Sequence, residues 1–270
     1  YNLMNELFTR IISGVIYAAA IFLSLLSGKL ATNILFLIFG LICLYELQKL
    51  LNFKNYLSYF VFPIALIFFN YFNIYDEVTF LFIVACLFVK LLLLRDLFSL
   101  KGRNAFRQKK HLITLMYIVP SMVFLTLIPK LYPGYNTYIL LYVFILMWIN
   151  DSFAFLIGKH FGKQKLFAKI SPKKTVEGFL AGFIFTIVGG ILISYFNQTL
   201  SFYNWVVVGI LVSVFGTLGD LVQSKFKRKA LVKDSGKIMP GHGGVFDRMD
   251  SIIFSSTFVF GFLFVINHVS

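Results

Sequence analysis

Long apolar stretches alternate with short polar segments along the chain. A helix needs about 20 apolar residues to cross a bilayer, within a range of ~17–25. Nine stretches approach that length, and none shows the strict alternation of a lipid-facing barrel strand. They cover residues 11–28, 31–47, 56–75, 78–94, 112–131, 138–158, 179–196, 202–222 and 251–266. The pattern predicts an all-α, polytopic integral membrane protein with about nine transmembrane helices.

The composition agrees with that prediction. Of the 270 residues, 59% are hydrophobic and 13% are charged, whereas soluble domains are ~45–50% apolar and ~25% charged. Such a chain has too few polar residues to cover the surface of a soluble enzyme. Its high apolar fraction also excludes a disordered protein. Two cysteines also exclude a disulfide scaffold. We expect one membrane domain over 1–270, in which residues 1–110 are mainly transmembrane scaffold and 111–270 carry the catalytic helices and loops.

The basic residues are distributed unevenly among the polar segments. If the N-terminus is cytoplasmic, 22 of the 25 Lys and Arg residues fall on the cytoplasmic side: Arg10, Lys49, Lys54 and the segments 95–110, 159–174 and 225–248. This asymmetry follows the positive-inside rule and predicts a C-terminus on the outside. Because the net charge of +14 is spread over five segments, a nucleic-acid binder is disfavoured.

Two apolar stretches contain an unexpected carboxylate. Asp151 lies within the sixth stretch, where a charge costs ~2.5–3.5 kcal/mol and normally faces a cavity or a charged partner. Asp220 follows Gly216 and Gly219 in the eighth stretch, and glycines let a helix or a ligand approach the backbone closely. The alternatives are a simple Asp151–Lys pair and a solvated helix end at Asp220.

The polar segment before the seventh stretch combines several charged residues. Ser171 and Pro172 suit an N-cap and a first helical position. That assignment places Lys173 and Lys174 in the first turn, where the helix dipole disfavours cations, and a bound anion would relieve the conflict. Glu177 follows in the same turn. The lysines alone would also serve as an ordinary topology signal.

The 224–250 segment is the least membrane-like part of the chain. Its glycines and proline around His242 predict a compact turn. Asp247 and Asp250 then stand three residues apart where the ninth helix begins, so one helix face carries both carboxylates near the positive end of the dipole. Plain N-terminal capping would explain the same pair.

These residue types restrict the chemistry. Asp220 and Asp247 are hard oxygen ligands suited to Mg²⁺, while the four scattered histidines lack zinc spacing. Carboxylates together with an excess of Lys and Arg are typical of phosphate charge neutralised by a metal and by cations. The pattern therefore indicates phosphoryl or nucleotidyl transfer.

The 224–250 segment closely resembles the signature of the phosphatidate cytidylyltransferases, also called CDP-diacylglycerol synthases. The matching positions are Ser224, Phe226, Lys227, Arg228, Lys233, Asp234, Gly236, Pro240, His242, Gly243, Gly244, Val245, Asp247, Arg248, Met249 and Asp250, with Met239 as the one departure. Upstream, the same resemblance extends to Trp148, Asp151, Gly158, Gly162, Ser171, Pro172, Lys173, Lys174, Glu177, Gly178, Gly219 and Asp220.

The resemblance implies the reaction of CTP with phosphatidate to give CDP-diacylglycerol and pyrophosphate for phospholipid biosynthesis. It implies Mg²⁺ on Asp220 and Asp247, K⁺ as a second cation, and an active site facing the cytoplasm at a bacterial-type inner membrane. The other expected roles are catalytic for Lys233, Asp234 and Asp250, substrate-binding for Ser171, Lys173, Lys174, Ser224, Lys225, Arg228, His242 and Arg248, and orienting for Asp151 and Glu177.

Three matters stay open at this stage. A CTP-dependent lipid kinase and a membrane transporter of an anionic substrate are the alternative functions. A homodimer in the lipid bilayer is compatible with the sequence. The sequence also does not separate the cations that contact the nucleotide from those that contact the lipid.

Overall fold

A computed structural model of the chain describes residues 2–72, 74–99 and 110–269, with side chains over 8–72, 74–99 and 110–268. Nine α-helices run through these residues: α1 (Asn2–Leu26), α2 (Lys29–Leu50), α3 (Tyr56–Tyr71), α4 (Asp76–Phe98), α5 (Lys110–Leu127), α6 (Thr137–Phe161), α7 (Val176–Phe196), α8 (Phe202–Lys229) and α9 (Phe246–Val269). A 3₁₀ turn, Ile128–Leu131, extends α5, and two short strands, β1 (Lys165–Phe167) and β2 (Ser171–Thr175), lie between α6 and α7.

Eight of the nine helices in these ranges are long and apolar enough to cross a membrane. The predicted all-α polytopic fold is therefore confirmed. Helix α3 is shorter than the apolar stretch predicted, because it ends at Tyr71 rather than continuing to residue 75. Its 16 residues span about 24 Å at 1.5 Å per residue, less than the thickness of a hydrocarbon core.

The helices alternate in direction, so their connections gather at two ends of the bundle. At one end, the C-terminus of α2 meets the start of α5 where Lys110 Nζ donates to Leu51 O, at 2.5 Å. At the other end, Lys130 Nζ donates to Phe69 O at 2.7 Å. We call the first the site end. The basic segments described by the structure lie there; residues 100–109 of the 95–110 segment fall outside the described ranges. Which end faces the cytoplasm stays a prediction.

Small residues allow the helices of the second half to pack closely. A methyl group at Gly178 would lie 2.6 Å from Ala154 O, and one at Gly182 would lie 2.9 Å from Asn150 O, so α7 packs directly on the α6 backbone. Gly190 packs in the same way on Trp205 O of α8. Close backbone approach through small residues is a common basis of helix association in membranes.

The prediction that Ser171 and Pro172 begin a helix is wrong. Residues Ser171–Thr175 form β2, which pairs antiparallel with β1. Helix α7 starts at Val176, and its N-cap is Thr175, whose hydroxyl accepts a hydrogen bond from Gly178 N at 3.2 Å. Lys173 and Lys174 therefore precede the helix, and the expected conflict with its dipole does not arise.

Candidate active site

Helices α8 and α9 pack closely at Gly219. A methyl group there would lie 2.5 Å from Phe254 Cβ and 2.8 Å from Asp250 O. The adjoining residue on α8 is Asp220, and its carboxylate is near enough to that of Asp250 for their charges to interact. The glycine thus brings together two acidic side chains that are 30 positions apart in the sequence.

Asp220 is paired with a lysine of β2, the second strand of the β1–β2 hairpin. Lys174 Nζ lies 2.7 Å from Asp220 Oδ2, and both side chains are partly exposed. Ser224 Oγ donates to the other oxygen, Asp220 Oδ1, at 3.1 Å. Burial alone would lower the pKa of the Lys174 ammonium, but the charge and the hydrogen bond of Asp220 outweigh it and raise that pKa. Lys174 therefore carries a positive charge at neutral pH.

Asp247 is surrounded by hydrogen-bond donors. Its Oδ1 accepts from Lys227 Nζ at 2.8 Å and from Gln223 Nε2 at 3.2 Å. Its Oδ2 accepts from Ser235 N at 2.7 Å, Ser235 Oγ at 2.9 Å and Gly244 N at 2.9 Å. The carboxylate therefore joins the end of α8 and the loop that follows it to the first turn of α9. This agrees with the capping role that the sequence left open.

The predicted turn around His242 is present. Met239 and Gly243 form an isolated bridge, and Gly241 and Gly243 have positive φ values of 72° and 91°. His242 Nδ1 is hydrogen-bonded with Ser13 Oγ of α1 at 2.5 Å. Burial, followed by the nearby charges of Arg248 and Arg10, lowers the pKa of His242, so its imidazole is neutral at neutral pH.

Two cavities open beside these groups. The site cavity, about 840 Å³, is lined by Asp151, Asp220, Asp247 and Asp250 together with Lys173 and Lys174. The outer cavity, about 960 Å³, is lined by Arg10, Lys233, Lys237 and His242. Asp234 and Arg248 line both. The structure thus brings ten of the predicted site residues to two adjoining cavities.

Five other predicted residues lie outside both cavities. Lys225 is 2.8 Å from Asp96 of α4, and Arg228 Nε donates to Ile170 O at 3.2 Å. Glu177 accepts from Gln164 N at 3.1 Å. Ser171 pairs with Phe167 in the hairpin, and Ser224 reaches the site through its bond to Asp220. These residues support the segments that carry the site.

Several residues in or beside the site were given no role in it by the sequence prediction. Lys227 is part of the 224–250 pattern, but its pairing with Asp247 depends on the fold. Arg10 and Glu46 come from helices interpreted as scaffold. A signal for Glu46 did exist, since it is the one charged residue in the apolar stretch 31–47.

Asp220 and Asp247 offer oxygen ligands of the kind that a hard divalent cation prefers. Lys174 Nζ lies 2.7 Å from Asp220 Oδ2 and Lys227 Nζ lies 2.8 Å from Asp247 Oδ1, so each carboxylate predicted to bind metal is paired with a lysine in this structure. Among the described residues, no group of three His, Cys, Asp or Glu side chains is arranged to hold a metal ion. Water or substrate oxygens would therefore complete the coordination shell, which is usual for Mg²⁺.

Comparison with known proteins decides the family. The profile of the "Cytidylyltransferase family" matches residues 8–266. The chain belongs to the cytidylyltransferase family. One member, "Phosphatidate cytidylyltransferase" of Bacillus subtilis (strain 168), is 33% identical over 269 residues, which cover 95% of this chain and 97% of the relative. The match therefore includes the scaffold helices.

Two other members match more strongly over a shorter part. The proteins named "Phosphatidate cytidylyltransferase" in Staphylococcus haemolyticus (strain JCSC1435) and Staphylococcus aureus (strain COL) are 47% identical over 116 residues and 46% identical over 117 residues. Each match covers 43% of this chain and 45% of the relative. The family resemblance read from the sequence is confirmed.

Proposed function

We propose that this protein transfers the cytidylyl group of CTP to phosphatidate, giving CDP-diacylglycerol and pyrophosphate. The observation that carries the proposal is the site cavity, where Asp220, Asp247, Lys173 and Lys174 of a cytidylyltransferase-family chain line one space. Cations and carboxylates together suit a reaction between two phosphate groups.

The site cavity also suits a lipid substrate. Phe155, Leu166 and Phe179 line it beside the two lysines, and the Phe155 side chain is exposed at the bundle surface. In our proposal, the phosphate of phosphatidate contacts Lys173 and Lys174 while its acyl chains stay between lipid and the apolar side chains.

We assign the nucleotide to the outer cavity. Its lining by Arg10, Lys233, Lys237 and Arg248 offers charge-assisted hydrogen bonds to a triphosphate. Because Asp234 and Arg248 line both cavities, the reacting α-phosphorus would lie near these two side chains. This placement divides the cations between the two substrates, which the sequence did not.

The proposed chemistry needs no strong general base. A phosphate oxygen of phosphatidate attacks the α-phosphorus of CTP, the bond to the β-phosphate oxygen breaks, and pyrophosphate leaves with the electron pair. Mg²⁺ held by Asp220 and Asp247 would supply positive charge to the nucleotide oxygens, with K⁺ as a proposed second cation. The chain's own residues orient the two phosphates. Lys174 fixes the position of Asp220 through one ion pair, and Lys227 fixes that of Asp247 through another.

We further propose that the site end faces the cytoplasm of a bacterial-type inner membrane. The described residues of the basic segments 95–110, 159–174 and 225–248 lie at this end, and CTP is a cytoplasmic nucleotide. The positive-inside rule supports this orientation.

The deciding experiment follows the label of CTP. Purified protein in detergent is incubated with α-³²P-CTP, phosphatidate and Mg²⁺, and the products are separated into lipid and nucleotide. We expect label in the lipid, equimolar pyrophosphate, and loss of product when Mg²⁺ is chelated. A lipid kinase would instead release labelled CDP and leave the lipid unlabelled. A transporter would move substrate into liposomes without consuming CTP, and either result would overturn the proposal.

A further inference from the structure

A carboxylate from the scaffold half is buried against the 224–250 segment. Glu46 lies near the C-terminal end of α2, and it is 1% exposed. It lines neither the site cavity nor the outer cavity. A buried acid that does not reach the substrates calls for another explanation, because burying a carboxylate is costly unless it is hydrogen-bonded.

The contacts of Glu46 are to the segment that carries the site. Its Oε2 accepts from Phe246 N at 2.8 Å and from Ser235 Oγ at 2.9 Å. Phe246 is the first residue of α9, so Glu46 satisfies an N–H that has no partner within the helix. A negative charge at a helix N-terminus is also favoured by the dipole.

Ser235 connects Glu46 to Asp247. The hydroxyl of Ser235 lies 2.9 Å from Glu46 Oε2 and also 2.9 Å from Asp247 Oδ2. The hydroxyl has a single proton, so it can donate fully to one of the two acids at a time. The position of Asp247 is thus coupled to that of Glu46 through one side chain and one helix N-terminus.

The segment is also shaped around this carboxylate. A methyl group at Gly236 would overlap Glu46 Oε1, and one at Gly244 would overlap Glu46 Oε2. Oε1 is buried and has no hydrogen-bond partner among the described residues. Glycine on both sides lets the segment close on Glu46, so removal of this side chain would leave the backbone leading to Asp247 without its support.

We propose that Glu46 is a positioning residue for the active site. It fixes residues 235–246 and thereby places Asp247 and the first turn of α9 against the site cavity. Its effect on turnover rests on the function proposed above, whereas its effect on the order of the segment does not. Displacement of reacting groups by about 1 Å can cost ~100-fold in rate, so a remote residue of this kind affects catalysis without touching substrate.

The test compares Glu46 with its neighbour Gln48. Gln48 lies on the same helix, is 5% exposed, and is hydrogen-bonded to Asn55 and Ser58 rather than to the 224–250 segment. We expect Glu46→Ala to lower kcat about 10- to 100-fold, and Gln48→Ala to lower the melting temperature while kcat stays within about threefold of wild type.

Glu46→Gln is the rescue variant. Its amide oxygen can accept from Phe246 N and Ser235 Oγ, and its NH₂ replaces the oxygen that accepts no hydrogen bond. We expect it to retain kcat within about threefold. Gly236→Ala keeps the acid but displaces the segment, so it should reproduce the kinetic loss even if the Glu46→Ala protein is not recovered.

A second readout separates this inference from the proposed function. Hydrogen exchange of amides 235–247 should accelerate in Glu46→Ala and Gly236→Ala but not in Gln48→Ala. Unchanged exchange and normal kcat in Glu46→Ala, an equal loss of kcat in Gln48→Ala, or failure of Glu46→Gln to rescue would each overturn the inference. Accelerated exchange in a protein that makes no CDP-diacylglycerol would retain the positioning role and reject the proposed function.

Discussion

The acidic side chains of the site differ in what surrounds them. Asp220 has one lysine and one serine as partners, and its side chain is 32% exposed toward the cavity. Asp247 accepts five hydrogen bonds from four residues and is 4% exposed. Both aspartates are predicted metal ligands, but only Asp247 also holds the backbone together. Substitution of each aspartate in turn should therefore distinguish a loss of activity from a loss of stability.

Asp220→Asn and Asp247→Asn provide this comparison. Both should reduce CTP-dependent product formation by at least about 100-fold, because each removes a charge from the proposed metal site. Only Asp247→Asn should also lower the melting temperature, since its amide would face buried donors, at a cost of about 1–3 kcal/mol for each group left unsatisfied. Turnover assays and thermal unfolding in detergent measure the two effects. Near-normal turnover in either variant would contradict the metal assignment.

His242 makes the stability of the 239–243 turn depend on pH. The pKa of His242 is lowered by burial and by the charges of Arg248 and Arg10. The folded protein therefore favours the neutral imidazole. The stability it contributes is fully present above the unfolded pKa of about 6.5, and it is lost as the pH falls through the folded value.

Replacement of His242 by Gln should reduce this dependence. As the pH is lowered below about 6.5, we expect the melting temperature of the wild type to fall more steeply than that of His242→Gln. His160→Gln is the control, because that ring bonds Leu156 O within its own helix. Equal slopes for wild type and His242→Gln would contradict the assignment.

At the scale of elements, the site depends on where helices begin and how closely they pack. The hairpin β1–β2 delivers Lys174 to Asp220, and Thr175 then caps α7. These charges do lie in the one polar segment that the sequence indicated, but the helix start predicted at Ser171 is wrong. Ser171-Pro172 and Thr175 are both compatible with a helix start. Because residues 171–175 pair with β1 as a strand, the helix begins only after Thr175.

Gly219→Ala tests the close packing of α8 on α9. The added methyl would meet Phe254 Cβ and Asp250 O at 2.5 and 2.8 Å, and neither backbone-linked group can rotate away. Overpacking of this kind costs about 1–3 kcal/mol, and it should separate Asp220 from Asp250. We expect a lower melting temperature and a loss of kcat of about tenfold or more.

Gly261→Ala is the matched control on α9. Its methyl would have one near neighbour, Ile83 Cγ2, at 3.3 Å, and the site lies at the other end of the helix. Turnover and melting temperature close to those of wild type are expected there. A comparable loss of kcat in Gly261→Ala would contradict a specific role for the Gly219 contact.

At the scale of the whole molecule, the nine helices of the described residues alternate in direction and bring the 159–174 and 225–248 segments to one end. The scaffold half participates in the site there: Glu46 bonds Phe246, Ser13 bonds His242, and Asp96 pairs with Lys225. The division into a scaffold part, residues 1–110, and a catalytic part stays a prediction. The contacts nevertheless show that these helices position the 224–250 segment.

The orientation of the bundle can be tested by cysteine labelling. Leu231 is 93% exposed near the site end, whereas Gln198 is exposed in the α7–α8 connection at the opposite end. The native Cys43 and Cys86 are buried, so we expect them to react little with the maleimide. In intact bacterial cells, a membrane-impermeant maleimide should label Gln198→Cys directly and Leu231→Cys only after permeabilisation. The reverse pattern would invert the proposed topology.

The sequence by itself determined the class of fold, the order of the spans and most of the charged residues of the site. Those properties depend on transfer of apolar segments into lipid and on short polar motifs, both of which are local in the chain. Only the tertiary structure decided that Lys174 pairs with Asp220, that Lys225 faces Asp96, and that Glu46 supports the start of α9. These partners are 46, 129 and 200 residues apart, and their meeting depends on helix packing, which hydropathy does not specify.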